Sequence, residues 1–208
     1  GKLGLCFSLS LEKAGYNVTG IDVVESYVTQ LNNKTFNSNE PGVNKRLKEC
    51  TNFTATVDLE KTLTSSVIFV IVATPSLPSG RLKDYNYYVS YNPEFIAQGS
   101  ILKDQENPDM VLIGGRDDNS CKTIKAIYED MCDNTPYIAE MNALSAEITK
   151  LSLNCFLTTK ISFANMIGDI SEKVGGETSK ILNAIGSDSR VGNKYLGYGY
   201  GYGGPCFP

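Results

Sequence analysis

Residues 1–22 read GKLGLCFSLSLEKAGYNVTGID, and this stretch decides the predicted fold. Gly1 and Gly4 have the spacing of the second half of a G-x-G-x-x-G motif. They open a segment with apolar residues at helical spacing that ends at Gly15, and a short strand then leads to Asp22. In a dinucleotide fold such glycines let the backbone approach a pyrophosphate at a helix N-terminus. The acidic residue binds the adenosine ribose.

This pattern predicts an NAD site formed by Gly1, Lys2, Leu3, Gly4 and Asp22. NAD is expected rather than NADP, because the Asp22 carboxylate would repel a 2′-phosphate. A half-motif alone would also suit a plain turn. The helix, the strand and the acidic residue in the right order favour the cofactor site.

Helix and strand alternate through the rest of the first half. Residues 26–31 predict a helix, and residues 53–57 alternate like a strand. Residues 67–72 (VIFVIV) are apolar on both faces and rich in β-branched side chains, which is typical of a buried parallel strand. Residues 111–115 predict a further strand and residues 119–130 a helix. The predicted fold class is therefore α/β, with a Rossmann-like doubly wound parallel sheet.

The second half begins with one long helical pattern at residues 143–174, which contains no Pro. A helix of about 30 residues spans about 45 Å, so we expect it to connect two domains and to form a homodimer. A shorter helix is predicted at residues 177–185. We expect an NAD-binding Rossmann-like domain at residues 1–141. Residues 142–208 would hold the long connecting helix and a helical and loop region.

The composition excludes several classes of function. The chain has 208 residues, a net charge of -4, six Cys and no His. Without His there is no Ser-His-Asp or Cys-His catalysis, and the irregular Cys spacing predicts no metal site. The mild acidity argues against nucleic acid or an anionic membrane as a partner. No segment approaches the ~20 apolar residues that span a bilayer, and nothing at the start resembles a signal peptide, so free thiols and a cytoplasmic location are expected.

Four side chains could supply chemistry without His. Cys206 lies in a glycine-rich loop and could act as a nucleophile if a cation lowered its pKa. Lys150 and Asn154 share one helix face and could both donate to an oxyanion. Glu94 follows a predicted strand end, where α/β sheets bind ligands. Each has a plainer alternative: an incidental loop thiol, an exposed face on which Glu147 pairs with Lys150, and an ordinary loop acid.

Several sequence blocks carry a family resemblance when taken together. Residues 91–99 (YNPEFIAQG), 147–154 (EITKLSLN), 186–193 (GSDSRVGN) and 203–208 (GGPCFP) occur in that order. They resemble the signature blocks of the UDP-glucose/GDP-mannose dehydrogenase family, and the likeness covers essentially the whole chain. The resemblance implies a four-electron oxidation of a nucleotide sugar's C6 alcohol to a carboxylate with two NAD. UDP-glucose is the expected substrate and UDP-glucuronate the expected product.

The resemblance also implies a role for each matching residue. Cys206 would add to the aldehyde as a thiohemiacetal and then carry a thioester. Lys150 and Asn154 would stabilise the oxyanion and position a water, and Glu94 would act as general acid-base in thioester hydrolysis. Arg190 would reach the substrate of the partner subunit. The other implied contacts are Thr74 and Gln98 to the cofactor, and Phe95, Tyr202 and Gly203 to the substrate.

The chain departs from the family pattern in some places. A family strand with a Ser-Thr-Val motif is missing between Thr74 and Asn92, where the connection is also too short for a crossover helix. An aspartate expected four residues beyond Cys206 and a C-terminal nucleotide-binding domain are absent. Three single positions differ from several members, namely Tyr27, Gln98 and Gly197. We therefore expect residues 1–208 to be part of a longer enzyme.

Two other functions stay open. A non-catalytic Rossmann-type module, kept for binding or assembly through the long helix, would explain the missing threonine and aspartate. A two-electron hydroxyacid-type dehydrogenase would share the fold and the long helix, but it would give Cys206 no role. The number of NADH formed per substrate would separate the second alternative from the four-electron reaction.

Overall fold

The computed structural model describes residues 1–71, 89–115 and 117–203, which fall into two compact units. The first unit is Gly1–Ala143 and the second begins at Leu144. No helix in the described ranges is long and apolar enough to cross a membrane.

The first unit alternates helices with parallel strands. In chain order it contains α1 (Lys2–Lys13), β1 (Val18–Ile21), α2 (Glu25–Asn32), α3 (Val43–Glu49), β2 (Phe53–Thr56), a 3₁₀ helix (Leu59–Thr64), α4 (Ile101–Glu106), β3 (Met110–Gly114), α5 (Asp118–Met131) and β4 (Tyr137–Met141). Strand β1 pairs in parallel with β2, and β3 pairs in parallel with β4. The α/β class with parallel strands is confirmed, whereas α3, α4 and β4 were not predicted from the sequence.

Helix α1 organises the core of the first unit because it is apolar on two faces. Leu5 and Leu9 pack into a cluster with α2, α3, β2 and α4, and Phe7 and Leu11 pack into a second cluster with β3 and α5. Burial of a Leu or Phe side chain is worth about 1.5–3 kcal/mol. These contacts fix α1, which begins at the glycine turn, between the two clusters.

The prediction of a buried strand at residues 67–72 is wrong over the described part, residues 67–71. Phe69 packs edge-to-face on Phe7 with ring centroids 4.8 Å apart, but Val70 is 75% exposed. Within the described residues, the segment pairs with neither two-stranded sheet. An apolar sequence favours burial, but a strand forms only where a neighbouring strand accepts its backbone hydrogen bonds.

The second unit contains the two helices predicted for this half. Helix α6 spans Ala143–Val174, and α7 spans Thr178–Ser187. Leu182 on α7 packs with Ala164 and Leu196 in a small buried cluster. The prediction of one long helix is therefore confirmed.

Candidate functional site

The glycine turn and Asp22 lie side by side in the first unit. Gly1 is the N-cap of α1, and the Gly1 nitrogen donates to Asp22 Oδ2 at 3.0 Å. The Val24 N–H donates to Asp22 Oδ1 at 3.1 Å. Asp22 thus lies just past the end of β1, beside the turn.

This arrangement fits a dinucleotide. Among the described residues, none has an atom within 4 Å of a Cβ placed on Gly1, which suits the close approach of a pyrophosphate to the N-terminus of α1. Near Asp22, the Tyr27 hydroxyl is buried and has no hydrogen-bond partner among the described residues. Burial, with the Asp22 charge adding to it, raises the pKa of Tyr27 to about 12, so this hydroxyl is a donor. Residues 1–4 would hold the pyrophosphate of NAD, and Asp22 would accept from the ribose hydroxyls.

Glu94 lines a cavity together with Met110 and Val111, the first residues of β3, and the segment before it is hydrogen-bonded to that strand. Tyr91 and Gly114 exchange backbone hydrogen bonds of 2.8 and 2.7 Å in an isolated antiparallel bridge. The next residue, Asn92, is also held to β3, because its Nδ2 donates to the Leu112 carbonyl at 2.9 Å. Within residues 89–91 only Tyr91 pairs, so Glu94 follows an isolated bridge and not a strand. The expectation that Glu94 follows a strand end is therefore wrong for the described residues.

A glutamine that the sequence did not single out holds the Glu94 carboxylate. Gln105 on α4 is 4% exposed, and its Nε2 lies 3.2 Å from both carboxylate oxygens of Glu94. Gln105 Oε1 is buried without a hydrogen-bond partner among the described residues. The two side chains line a cavity of about 20 Å³, room for about one water molecule. The amide of Gln105 thus fixes the orientation of the Glu94 carboxylate.

Lys150 and Asn154 lie on the same face of α6, and both are half-buried. The flanking Leu151 and Phe156 are 64% and 62% exposed, so they do not bury Lys150 in an apolar surrounding. These residues belong to the second unit and Glu94 belongs to the first. Thr74 and Cys206 lie outside the described residues. The assembly of Cys206, Lys150, Asn154 and Glu94 into one site stays a prediction.

Helix α6 holds the glycine- and tyrosine-rich loop that precedes residue 204. Asn165 accepts from the Gly199 N–H and donates to the Tyr200 carbonyl, both at 2.9 Å. The Tyr202 and Ser162 hydroxyls are 3.1 Å apart. The oxygen and the nitrogen of the Asn165 amide thus both bind the loop backbone, and the Tyr202 side chain contacts α6 through Ser162. No local sequence pattern points to Asn165, because it lies more than thirty positions from the loop that it binds.

The remaining predicted contacts are more exposed. The Arg190 side chain is 87% exposed and pairs with Asp188, with Nη2 to Oδ2 at 2.7 Å. Gln98 is exposed and Phe95 is half-buried. These positions are accessible to a ligand, but their contacts with NAD or substrate stay predictions.

The cysteines in the described part of the chain are all free thiols. Cys6 is fully buried on α1, and burial raises its pKa to about 11, so it behaves as an inert core residue. Cys155, on α6, is exposed. Within the described ranges, no group of three or more His, Cys, Asp and Glu side chains is arranged to hold a metal ion.

Comparison with known proteins places the chain in one sequence family. Residues 1–83 and 77–132 match the NAD binding domain of the UDP-glucose/GDP-mannose dehydrogenase family, and residues 144–208 match its central domain. The prediction of an NAD-binding domain is thus confirmed. The two pieces of the first match overlap at residues 77–83, within the stretch where the sequence offers no crossover helix.

Individual relatives agree with this match. An uncharacterised protein of Methanocaldococcus jannaschii is 33% identical over all of the chain, which spans 28% of that protein. The UDP-glucose 6-dehydrogenase of Rickettsia bellii is 26% identical over all of the chain, which spans 58% of it. The structure of a UDP-glucose dehydrogenase from Pyrobaculum islandicum superposes with a TM-score of 0.89 at 25% identity, over 100% of this chain and 59% of that one. The chain thus spans less than two thirds of each. Both sequence alignments extend over 255 residues, so the relatives carry residues that these 208 lack.

Proposed function

Because the chain belongs to the UDP-glucose/GDP-mannose dehydrogenase family, we propose that the protein oxidises the C6 alcohol of a nucleotide sugar to a carboxylate with NAD. UDP-glucose is the proposed substrate and UDP-glucuronate the product. The observation that carries the proposal is the ordered match to two consecutive domains of one family, with the glycine turn lying against Asp22 in the first. Relatives named UDP-glucose 6-dehydrogenase support the choice of sugar.

The first half of the reaction forms a bond to Cys206. NAD⁺ held by residues 1–4 and Asp22 would supply the acceptor for a hydride from C6. Loss of this hydride and of the hydroxyl proton, which passes to water, leaves an aldehyde. The Cys206 thiolate adds to the aldehyde carbon. Lys150 and Asn154 donate to the resulting oxyanion, which becomes the hydroxyl of a thiohemiacetal when it takes up a proton.

The second half releases the product. A second NAD⁺ bound at residues 1–4 and Asp22 would supply the acceptor for the remaining C6 hydride. Loss of this hydride and of the hydroxyl proton converts the thiohemiacetal to a thioester. Lys150 and Asn154 position a water, and Glu94 accepts its proton as it attacks the thioester carbon. The carbon–sulfur bond breaks, which yields the carboxylate and returns the thiol of Cys206. One sugar therefore consumes two NAD⁺ and one water.

The test is NADH release from UDP-glucose by the full-length protein. We expect two NADH per sugar, and Cys206→Ala should abolish turnover. Cys155→Ala is the matched control, because this exposed thiol has no part in the reaction. Turnover of Cys206→Ala at the wild-type rate would refute the mechanism. One NADH per substrate would favour the hydroxyacid-type dehydrogenase, and NAD binding without turnover would favour the non-catalytic module.

A homodimer through α6 and a cytoplasmic location are further proposals. Large apolar side chains recur along α6 at mostly three- and four-residue spacing and are exposed in the described structure: Leu144, Ile148, Leu151, Phe156, Phe163, Met166, Ile170 and Val174. Exposed apolar surface of this extent is typical of an interaction site, and a second copy could cover it along the length of the helix.

A further inference from the structure

Glu40 is a buried carboxylate that the reaction above does not use. It lies in the loop before α3 and is 3% exposed. Glu40 Oε1 accepts from the Ile101 N–H at 2.8 Å, and Oε2 accepts from the Gly99 N–H at 3.2 Å and lies 3.4 Å from Lys2 Nζ. Burial alone would raise its pKa, but these N–H groups and the Lys2 ammonium outweigh it and lower the pKa. Glu40 is therefore charged, and one side chain gathers three donors.

The three donors come from two separate segments that are both predicted to contact NAD. Lys2 belongs to the glycine turn at residues 1–4. Gly99 directly follows Gln98, and its φ of +93° is a left-handed conformation that glycine adopts without strain. Ile101 begins α4, which carries Gln105 and so the contact to Glu94. Glu40 thus connects the glycine turn to the segment that carries Gln98.

We propose that Glu40 is a positioning residue for NAD, which fixes the glycine turn and the Gln98 segment relative to each other before the cofactor binds. This inference rests on the proposed function. If the two loops are already ordered before NAD binds, the free energy of binding is not reduced by the entropy lost in ordering them. Oε2 faces two donors, the Gly99 N–H and the Lys2 ammonium. A charged carboxylate oxygen can hold both of them, whereas a neutral side chain of the same shape cannot pair with the ammonium as an ion pair.

The substitution Glu40→Gln isolates that charge. With the amide oxygen facing Ile101, the new NH₂ group faces the Gly99 N–H and the Lys2 ammonium, and donor then opposes donor. Gln has nearly the same volume as Glu, so the substitution creates no cavity in the surrounding core. The segments should separate, and NAD binding should weaken.

A matched control separates positioning from stability. Glu106 is also a buried carboxylate of the first unit, 4% exposed, and it too accepts from several donors. Its partners Ser10, Lys13 and Arg46 lie outside residues 1–4 and 98–101. Glu106→Gln should therefore destabilise the fold without changing NAD binding by the protein that remains folded.

The experiment measures the dissociation constant of NAD by calorimetry on the full-length protein, together with KM for NAD and kcat. For Glu40→Gln we expect both the dissociation constant and KM to rise at least about fivefold, the lower end of typical coupling between sites, with a smaller change in kcat. Wild-type affinity in Glu40→Gln, to within about twofold, would overturn the inference, and so would an equal loss in Glu106→Gln. A wild-type protein that binds no NAD would instead refute the proposed function.

A second variant covers the case in which Glu40→Gln does not fold. Lys2→Met removes the ion pair from a side chain that is 45% exposed, so the fold should tolerate it. Because Lys2 also belongs to the predicted NAD site, weaker NAD binding in Lys2→Met supports the inference only together with the double variant. Where the double variant folds, Glu40→Gln and Lys2→Met together should weaken NAD binding by less than the two single changes combined. Wild-type affinity in Lys2→Met would overturn the inference.

Discussion

Replacing Glu106 by Gln should destabilise the protein by about 3 kcal/mol. The Glu106 side chain is 6% exposed and binds the Arg46 guanidinium through both oxygens, while the Ser10 hydroxyl and Lys13 ammonium each donate at 3.1 Å. Removing one partner of a buried ion pair costs about 3–5 kcal/mol. We expect the lower end of this range for two reasons. The Arg46 side chain is 26% exposed, so water can partly solvate its charge, and Lys13 keeps a second partner in Asp133 at 2.9 Å.

The assay is urea denaturation of the full-length protein followed by circular dichroism, together with thermal melting. A loss of about 3 kcal/mol corresponds to a fall in Tm of roughly 6–12 °C for a domain of this size. Glu140→Gln is the control, because the Lys125–Glu140 pair is 3.8 Å apart and both side chains are 42% exposed. An exposed pair of this kind contributes at most about 1 kcal/mol.

The same substitution predicts a pH dependence with a definite sign. Burial would raise the pKa of Glu106, but hydrogen bonds from Arg46 and Lys13 outweigh it and lower the pKa below the ordinary 4.5. The unfolded chain therefore takes up the proton first as pH falls. The stabilisation is complete above pH 4.5 and is lost below it, so the difference between wild type and Glu106→Gln should shrink in acid. A difference under about 0.5 kcal/mol at pH 7, or one that does not change in acid, would refute the reasoning.

Three further predictions concern the site and the assembly. Gly168→Ala should raise KM for the nucleotide sugar, because the new Cβ would lie 1.9 Å from the Tyr198 ring and displace the loop; steady-state kinetics with an unchanged KM would contradict this. Gln105→Leu should slow thioester hydrolysis by about tenfold or more, because Glu94 loses its amide donor. Rapid-quench experiments should then show the acyl-enzyme accumulating; a variant that turns over at the wild-type rate without accumulated acyl-enzyme would argue against this role. Ile170→Glu should shift the assembly towards monomer in light scattering, since the side chain is 51% exposed on α6; an unchanged mass would exclude this part of the helix from the interface.

Much of the local structure could be predicted from the sequence because it depends on neighbours along the chain. The helical spacing after Gly4 predicted α1, and the uninterrupted pattern from Ala143 predicted α6 at its observed length. The glycine turn and Asp22 could be assigned together because a helix and a strand of fixed length separate them. The strand prediction for residues 67–71 was wrong because it depends on distant parts of the chain. Their apolar composition predicts burial, but pairing requires a neighbouring strand.

The sequence by itself determined the α/β class, the long helix and the residue types available for chemistry. The absence of His left carboxylate, ammonium, amide and thiol groups for the proposed chemistry. Only the tertiary structure identified Glu40, Glu106 and Gln105 as the side chains that hold these parts in place. Glu40 meets Ile101 across 61 positions and Glu106 meets Arg46 across 60. No local pattern specifies such partners, because a buried carboxylate finds its donors through the packing of distant helices and loops.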